Sequence, residues 1–245
     1  MKILRLVLIL SLVPGFCYAQ KDSSKPRAVT NITINAGAGI PSSLFSSEYN
    51  EFGNYAKVGF FMSIQGIYPI HHSWFGFAGL IGYGTNTFDT ASYSGTGTFS
   101  SFSHGSYKIY TVMPGICAII PGQNASIEFR ILAGNMYFKL PNITYTGELT
   151  NSGSLKGHPP VGGTWNIISS GVSAFAYDIG TSIKLNVGKR FLWAFSADFL
   201  HSGLNGGINQ VTKFSSFTGG INNQTTATFM YVTCFNLTTG IGYKL

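Results

Sequence analysis

Thr238-Thr-Gly240-Ile-Gly-Tyr243-Lys-Leu245 ends the sequence, and its alternation decides how the rest is read. Ile241, Tyr243 and Leu245 are bulky and apolar, whereas Gly240, Gly242 and Lys244 are small or polar. Period two marks a strand with two unlike faces. Followed backwards, the pattern reaches Phe229. Phe229, Tyr231, Phe235 and Leu237 keep to the bulky face, and Cys234, Asn236 and Thr238 to the other.

Seven further segments alternate in the same way. They run at about Val29–Ile40, Val58–Ile70, Phe75–Thr85, Tyr107–Ile120, Ala125–Leu140, Val172–Val187 and Phe191–His201. Pro114 falls inside the fourth, and a missing ladder donor there predicts a bulge. The connections alternate short and long. Short turns are expected at His71-His72-Ser73, Pro121-Gly122-Gln123-Asn124 and Gly188-Lys189-Arg190. Long polar loops are expected at Ser42–Lys57, Asn86–Ser106, Pro141–Gly171 and Gly203–Thr228.

Charged residues make up 9% of the chain, against roughly 25% in ordinary soluble domains. A water-exposed surface needs more charge than this, and a lipid-facing one does not. A soluble sandwich or lipocalin-type barrel would turn its large residues inward and its polar ones outward. The bulky residues here are too numerous for that, so the apolar face points out. The expected fold is an all-β, eight-stranded, antiparallel up-and-down transmembrane barrel. Tyr68, Trp74, Phe75, Phe191, Trp193 and Tyr243 lie near the short turns or the C-terminus, where an interfacial aromatic girdle belongs.

The N-terminus reads as a leader. Met1-Lys2-Ile-Leu-Arg5 is positive, Leu6–Phe16 is mostly apolar, and Cys17-Tyr18-Ala19 places small residues at −3 and −1 of a cut before Gln20. A lipoprotein would need a small residue where Phe16 stands. Residues 1–19 are therefore taken as a signal peptide, 20–28 as a short periplasmic segment, and 29–245 as the barrel. No later run approaches the roughly 18 consecutive apolar residues of a membrane helix. Without Lys2 and Arg5 the net charge falls from +7 to +5. No basic cluster exists beyond Lys21–Arg27, so nucleic-acid binding has no support. Cys117 and Cys234 stand at different heights on their strands, too far apart for a bridge, and are expected to stay free.

The terminal octet resembles the C-terminal signal by which outer-membrane barrels are recognised for insertion, with Thr238, Gly240, Tyr243 and Leu245 at the specified positions. Val112-Met-Pro114-Gly115-Ile116, Tyr177-Asp-Ile-Gly180 and Arg190-Phe-Leu-Trp-Ala-Phe195 add to this. The mature chain resembles the small barrels grouped around the transmembrane domain of outer membrane protein A, and in style the porin-like barrels of Bacteroidetes. The resemblance implies a Gram-negative outer membrane, periplasmic termini, lipid and lipopolysaccharide as surroundings, and insertion by the barrel assembly machinery. The peptidoglycan-binding domain of outer membrane protein A has no counterpart here.

Candidate chemistry is sparse. Some barrels of this size are lipid A deacylases that use a His and a Ser. His201-Ser202, with Asn205 nearby, is the similar cluster here, but adjacent strand residues point to opposite faces. No third residue is evident to orient the imidazole. His71-His72 reads as a polar turn rather than a metal site. We expect no catalytic, cofactor-binding or metal residues.

The inward charges Glu128, Arg130, Asp178, Lys184 and Asp198 gather on three successive strands. Glu128 is expected to pair with Lys184, and Arg130 to serve the Asp178–Asp198 pair, so that the lumen is plugged. The leading functional reading is a structural or surface-interaction role carried by the outer loops. A small-solute, porin-like channel is the alternative, and a lipid-modifying enzyme is third.

Overall fold

The computed structural model describes residues 27–42, 45–46, 56–70, 74–89, 98–149, 161–216 and 221–245. The leader and the His71-His72-Ser73 turn lie outside these residues. The strands are β1 (Asn31–Pro41), β2 (Gly59–Pro69), β3 (Phe75–Thr87), β4 (Thr98–His104), β5 (Ser106–Pro121), β6 (Ala125–Lys139), β7 (Ile143–Leu149), β8 (Val161–Ser169), β9 (Gly171–Val187), β10 (Phe191–Ser216) and β11 (Ile221–Lys244).

Eight of them close an antiparallel barrel in the order β1-β2-β3-β5-β6-β9-β10-β11, with β11 returning to β1. Closure leaves no unpaired strand edge around the lipid-facing circumference, which is why a sheet can stand in hydrocarbon at all. Ile34 lies opposite both Ile241 and Ile64, and that register extends from Asn31↔Lys244 to Pro41↔Cys234. The tight β9–β10 turn depends on Gly188, whose φ of 77° suits glycine.

Alternation sorts the two faces as expected. Ile34, Phe77, Ile81, Ile116, Ile131, Phe175 and Ile241 point outward and are exposed, while Thr33, Asn35, Gln65, Ser182, Ser196 and Asn236 are buried inside. An apolar exterior around an interior that holds many polar and charged side chains is not the order of a soluble protein and fits a lipid-facing wall.

Two expectations need correction. Pro114 makes no bulge. It keeps its place opposite Gly79, and the β5–β6 pairing omits Met113 and Pro114 and resumes in the same register. The missing donor is absorbed by skipped rungs rather than by an inserted residue.

Three of the four expected loops contain strand among the described residues. β4 continues β5 upward across Gly105, β7 continues β6 across Leu140-Pro141-Asn142, and β8 continues β9 across Ser170. β10 and β11 run on past the rim themselves. Their pairing repeats the barrel order one storey higher, β4-β7-β8-β10-β11, as a five-stranded wall.

The wall starts at a line of interruptions. Gly105 N donates to Asn142 O (3.0 Å), Ser169 N donates to Asn142 Oδ1 (3.2 Å), and the β10–β11 register shifts between Leu204 and Ile208. Pro141 has no N–H to donate, which helps to end the β6 ladder there.

Candidate functional site

The barrel interior is built in two layers. Toward the short turns it is charged. Glu128 and Lys184 approach to 2.7 Å, and Lys184 also donates to Asn31 Oδ1 across the lumen. Arg130 donates one arm of its guanidinium to Ser182 Oγ and the other to Asp198 Oδ1. Ser182 and Ser196 share a 2.7 Å hydrogen bond.

All four charged side chains are essentially inaccessible to solvent. Burying them is tolerable only because each has a partner of opposite sign. Gly180 lies opposite both Arg130 and Asp198. A Cβ there would come within 1.9 Å of Asp198 Oδ1, so glycine makes the room in which this ion pair forms.

Asp178 behaves differently. It stands opposite Leu200 and Leu132, one rung pair above Asp198, so the two carboxylates are diagonal neighbours. Arg130 makes its ion pair with Asp198, and Asp178 Oδ1 has no hydrogen-bond partner among the described residues.

Above this floor the core is apolar, with Met113, Leu132, Met136, Leu200 and Val232 buried. Phe45 closes the top. It is fully buried and lies edge-on to Tyr107 (5.3 Å) and Phe138 (5.8 Å). Its segment is tied down by hydrogen bonds from Phe45 N to Ser42 O, Ala56 N to Phe45 O and Ser42 N to Thr233 O. In the sequence Phe45 falls within the polar Ser42–Lys57 connection, and the apolar Leu44-Phe45 step among serines is its one signal.

The outer surface carries aromatic residues at both ends. Near the short turns Tyr68, Trp74, Phe75, Phe191, Trp193 and Tyr243 are all exposed. Arg190 donates to the Tyr243 hydroxyl (3.0 Å), and Trp193 Nε1 donates to Thr239 Oγ1 (2.7 Å). At the opposite rim Tyr83, Tyr110 and Tyr137 form a row on adjacent strands, with ring centres 5.0 and 6.0 Å apart. Tyr and Trp suit this boundary because one end is apolar and the other polar.

The remaining candidates are not brought together. His201 faces outward among Tyr177, Phe199 and Tyr231, with Nδ1 2.9 Å from Thr233 Oγ1. Ser202 is buried on the inner face and donates to Phe175 O (2.7 Å). The side chain of Asn205 lies outside the described residues, as do His71 and His72. Cys117 and Cys234 are free and buried, as their heights predict. At the C-terminus Thr238 is buried, and Tyr243 and Leu245 face outward. A Cβ on Gly240 would come within 2.0 Å of Ile34 O, a close approach that glycine permits.

No family model matches this sequence, and no curated protein matches it. Among solved structures the chain is similar to a major outer membrane protein from Thermus thermophilus. The identity is 11%, the TM-score 0.50, and the match covers 89% of this chain and 100% of that one. Neisserial surface protein A aligns at 13% identity over 90% of this chain and 100% of its own, with a TM-score of 0.44. Ail, the attachment invasion locus protein of Yersinia pestis, aligns at 12% over 91% and 100%, with a TM-score of 0.41. At such identities the first of these shows a shared fold, that of a small outer-membrane barrel. The finer likeness to Bacteroidetes barrels and to outer membrane protein A rests on sequence pattern alone.

Proposed function

We propose that this chain is an outer-membrane protein of a Gram-negative cell, with a structural or surface-interaction role carried at its long-loop end. One observation carries the reading. The lumen is filled from the Arg130–Asp198 floor to the Phe45 cap, while five strands continue past the outward apolar belt as a wall. A filled eight-stranded barrel leaves no room for a solute path. The material above the belt is what other molecules can reach. The opposite orientations of His201 and Ser202 argue against an esterase pair there.

In this reading residues 1–19 are removed before Gln20, and both termini face the periplasm. The barrel assembly machinery reads Thr238, Gly240, Tyr243 and Leu245, and outer-membrane lipid and lipopolysaccharide surround the belt. The first test is location. Mature protein beginning at Gln20 should fractionate with the outer membrane and migrate differently on gels before and after heating. Protease added outside intact cells should cut only in the long-loop end, and recovery in the soluble periplasm would sink the reading. Replacing Tyr243 and Leu245 by Ser should reduce the amount assembled. In planar bilayers the wild type should show no steady conductance, and a stable large channel would favour the porin alternative.

A further inference from the structure

Two lysines on the outer face stand where charge repulsion argues against them. Lys108 on β5 and Lys139 on β6 are direct cross-strand partners. Both alternate outward, since Tyr107, Ile109 and Phe138 beside them are buried. Like charges directly opposite each other destabilise a strand pair. Neither lysine has an ion-pair partner among the described residues.

The rung they occupy reads Thr85, Lys108, Lys139, Gly171 across β3, β5, β6 and β9. The outward rung beneath reads Tyr83, Tyr110, Tyr137, Ser173. Gly171 has a specific place in this. A Cβ there would come within 1.9 Å of the Tyr137 hydroxyl oxygen. The phenol therefore lies over the glycine, which brings a hydroxyl to the level of Lys139. Two ammonium groups and a hydroxyl thus share one patch, about 7 Å along the strands above the tyrosine row.

Aromatic rows mark the depth where acyl chains give way to headgroups. The step above them is where lipid phosphates lie, and lysine stems can follow the apolar surface up to that level. Ordinary snorkelling explains one lysine at such a place. It does not explain two in direct opposition without an acid. We propose that Lys108 and Lys139, with the Tyr137 hydroxyl, bind the phosphate of a membrane lipid headgroup at the long-loop rim. The bound phosphate removes the repulsion between the lysines, and its acyl chains lie along Val112, Ile116 and Ile131 below the tyrosines. This rests on the membrane reading given above and deepens it.

The full chain would be inserted into vesicles of phosphatidylcholine with a minor share of diphosphoryl lipid A, or of the same lipid with its phosphates removed. Retained lipid would be counted by native mass spectrometry after gentle extraction. Wild type should prefer the phosphorylated form, and Lys108→Gln with Lys139→Gln should lower its retention about thirty-fold. Lys108→Arg with Lys139→Arg should keep most of it, and Tyr137→Phe should lose a few-fold. Lys213→Gln, exposed higher on β10, should change nothing.

Excess inorganic phosphate should not displace the lipid; full displacement would mean a free-anion site and overturn the lipid assignment. Equal retention of both lipids by wild type, or an unchanged double Gln variant, would also overturn it. Failure to insert as a heat-modifiable barrel would instead break the membrane reading, and the site would fall with it.

Discussion

Below the line through Gly105, Pro141 and Ser170 every strand alternates, whereas above it β4 and the upper half of β11 lose that discipline, although β7 (Ile143–Leu149) keeps it. β9 shows the lower regime, with Asp178, Gly180, Ser182 and Lys184 inward and Tyr177, Ile179, Ile183 and Leu185 outward. β4, read Thr-Phe-Ser-Ser-Phe-Ser-His, and the upper half of β11, Ile221-Asn-Asn-Gln-Thr-Thr-Ala-Thr, show the other. The lower sheet is pinned between lipid and a filled lumen, so a one-residue slip would turn every side chain to the wrong medium. The wall has no such pair of unlike media to enforce period two.

The largest expected effect tests the floor of the barrel. Arg130→Ala leaves Asp198 buried without its cation and should cost about 3–5 kcal/mol. Urea unfolding of the inserted protein, followed by the heat-sensitive gel shift, measures it. A change near zero would mean that the floor does not hold the barrel, and the contrast between a bound interior and a free wall would lose its basis.

Phe45→Ala comes next, at about 3 kcal/mol, since it removes a buried ring from between two others. Between the cap and the floor Met113, Leu132, Met136, Leu200 and Val232 also fill the lumen. Conductance should therefore stay near zero in Phe45→Ala, and a steady channel there would show that the layers beneath the cap leak.

Gly180→Ala is a finer probe of the same layer. Its methyl would press on Asp198 and Arg130 at a position with backbone on both sides, so overpacking of about 1–3 kcal/mol is expected. Gly203→Ala, whose Cβ meets only the Tyr231 ring at 3.6 Å, should cost less. The reverse order in melts of the two variants would place the tight packing elsewhere.

This difference between storeys also explains what the sequence made legible. All eight barrel strands could be read because Phe175, Tyr177 and Ile179, or Phe191, Trp193 and Phe195, recur at period two. The inward charges followed from the same count, since Glu128 and Arg130 share parity with each other and not with Phe129. Phe45 was not legible, because a residue that seals the lumen from a loop carries no periodicity. β7 and β8 look like loop in the sequence for a related reason. Their Gly147 and Gly162-Gly163, with Pro141 just before, are turn signals, and the partners that turn them into strand lie in other parts of the chain. Nor did composition show Lys108 and Lys139 as a pair, because their adjacency exists only in the β5–β6 register.

The smallest effect on the barrel should come from the most damaging change to the wall. Thr212 sits on β10 between Gln224 of β11 and Ile167 of β8, so β10 is a central strand there. Proline at that position removes a ladder bond whichever neighbour the N–H faces. Thr212→Pro should therefore abolish the hydrogen-exchange protection of the amides from Gln210 to Ser216. Barrel stability should move by less than about 0.5 kcal/mol, because the Leu204/Ile208 shift and the breaks at Gly105, Pro141 and Ser170 interrupt the ladders below. The two storeys then open as separate units. Should Thr212→Pro also lower the barrel's stability in urea by several kcal/mol, the line of interruptions would be a bend in one cooperative sheet. The wall would then support the barrel as well as crown it.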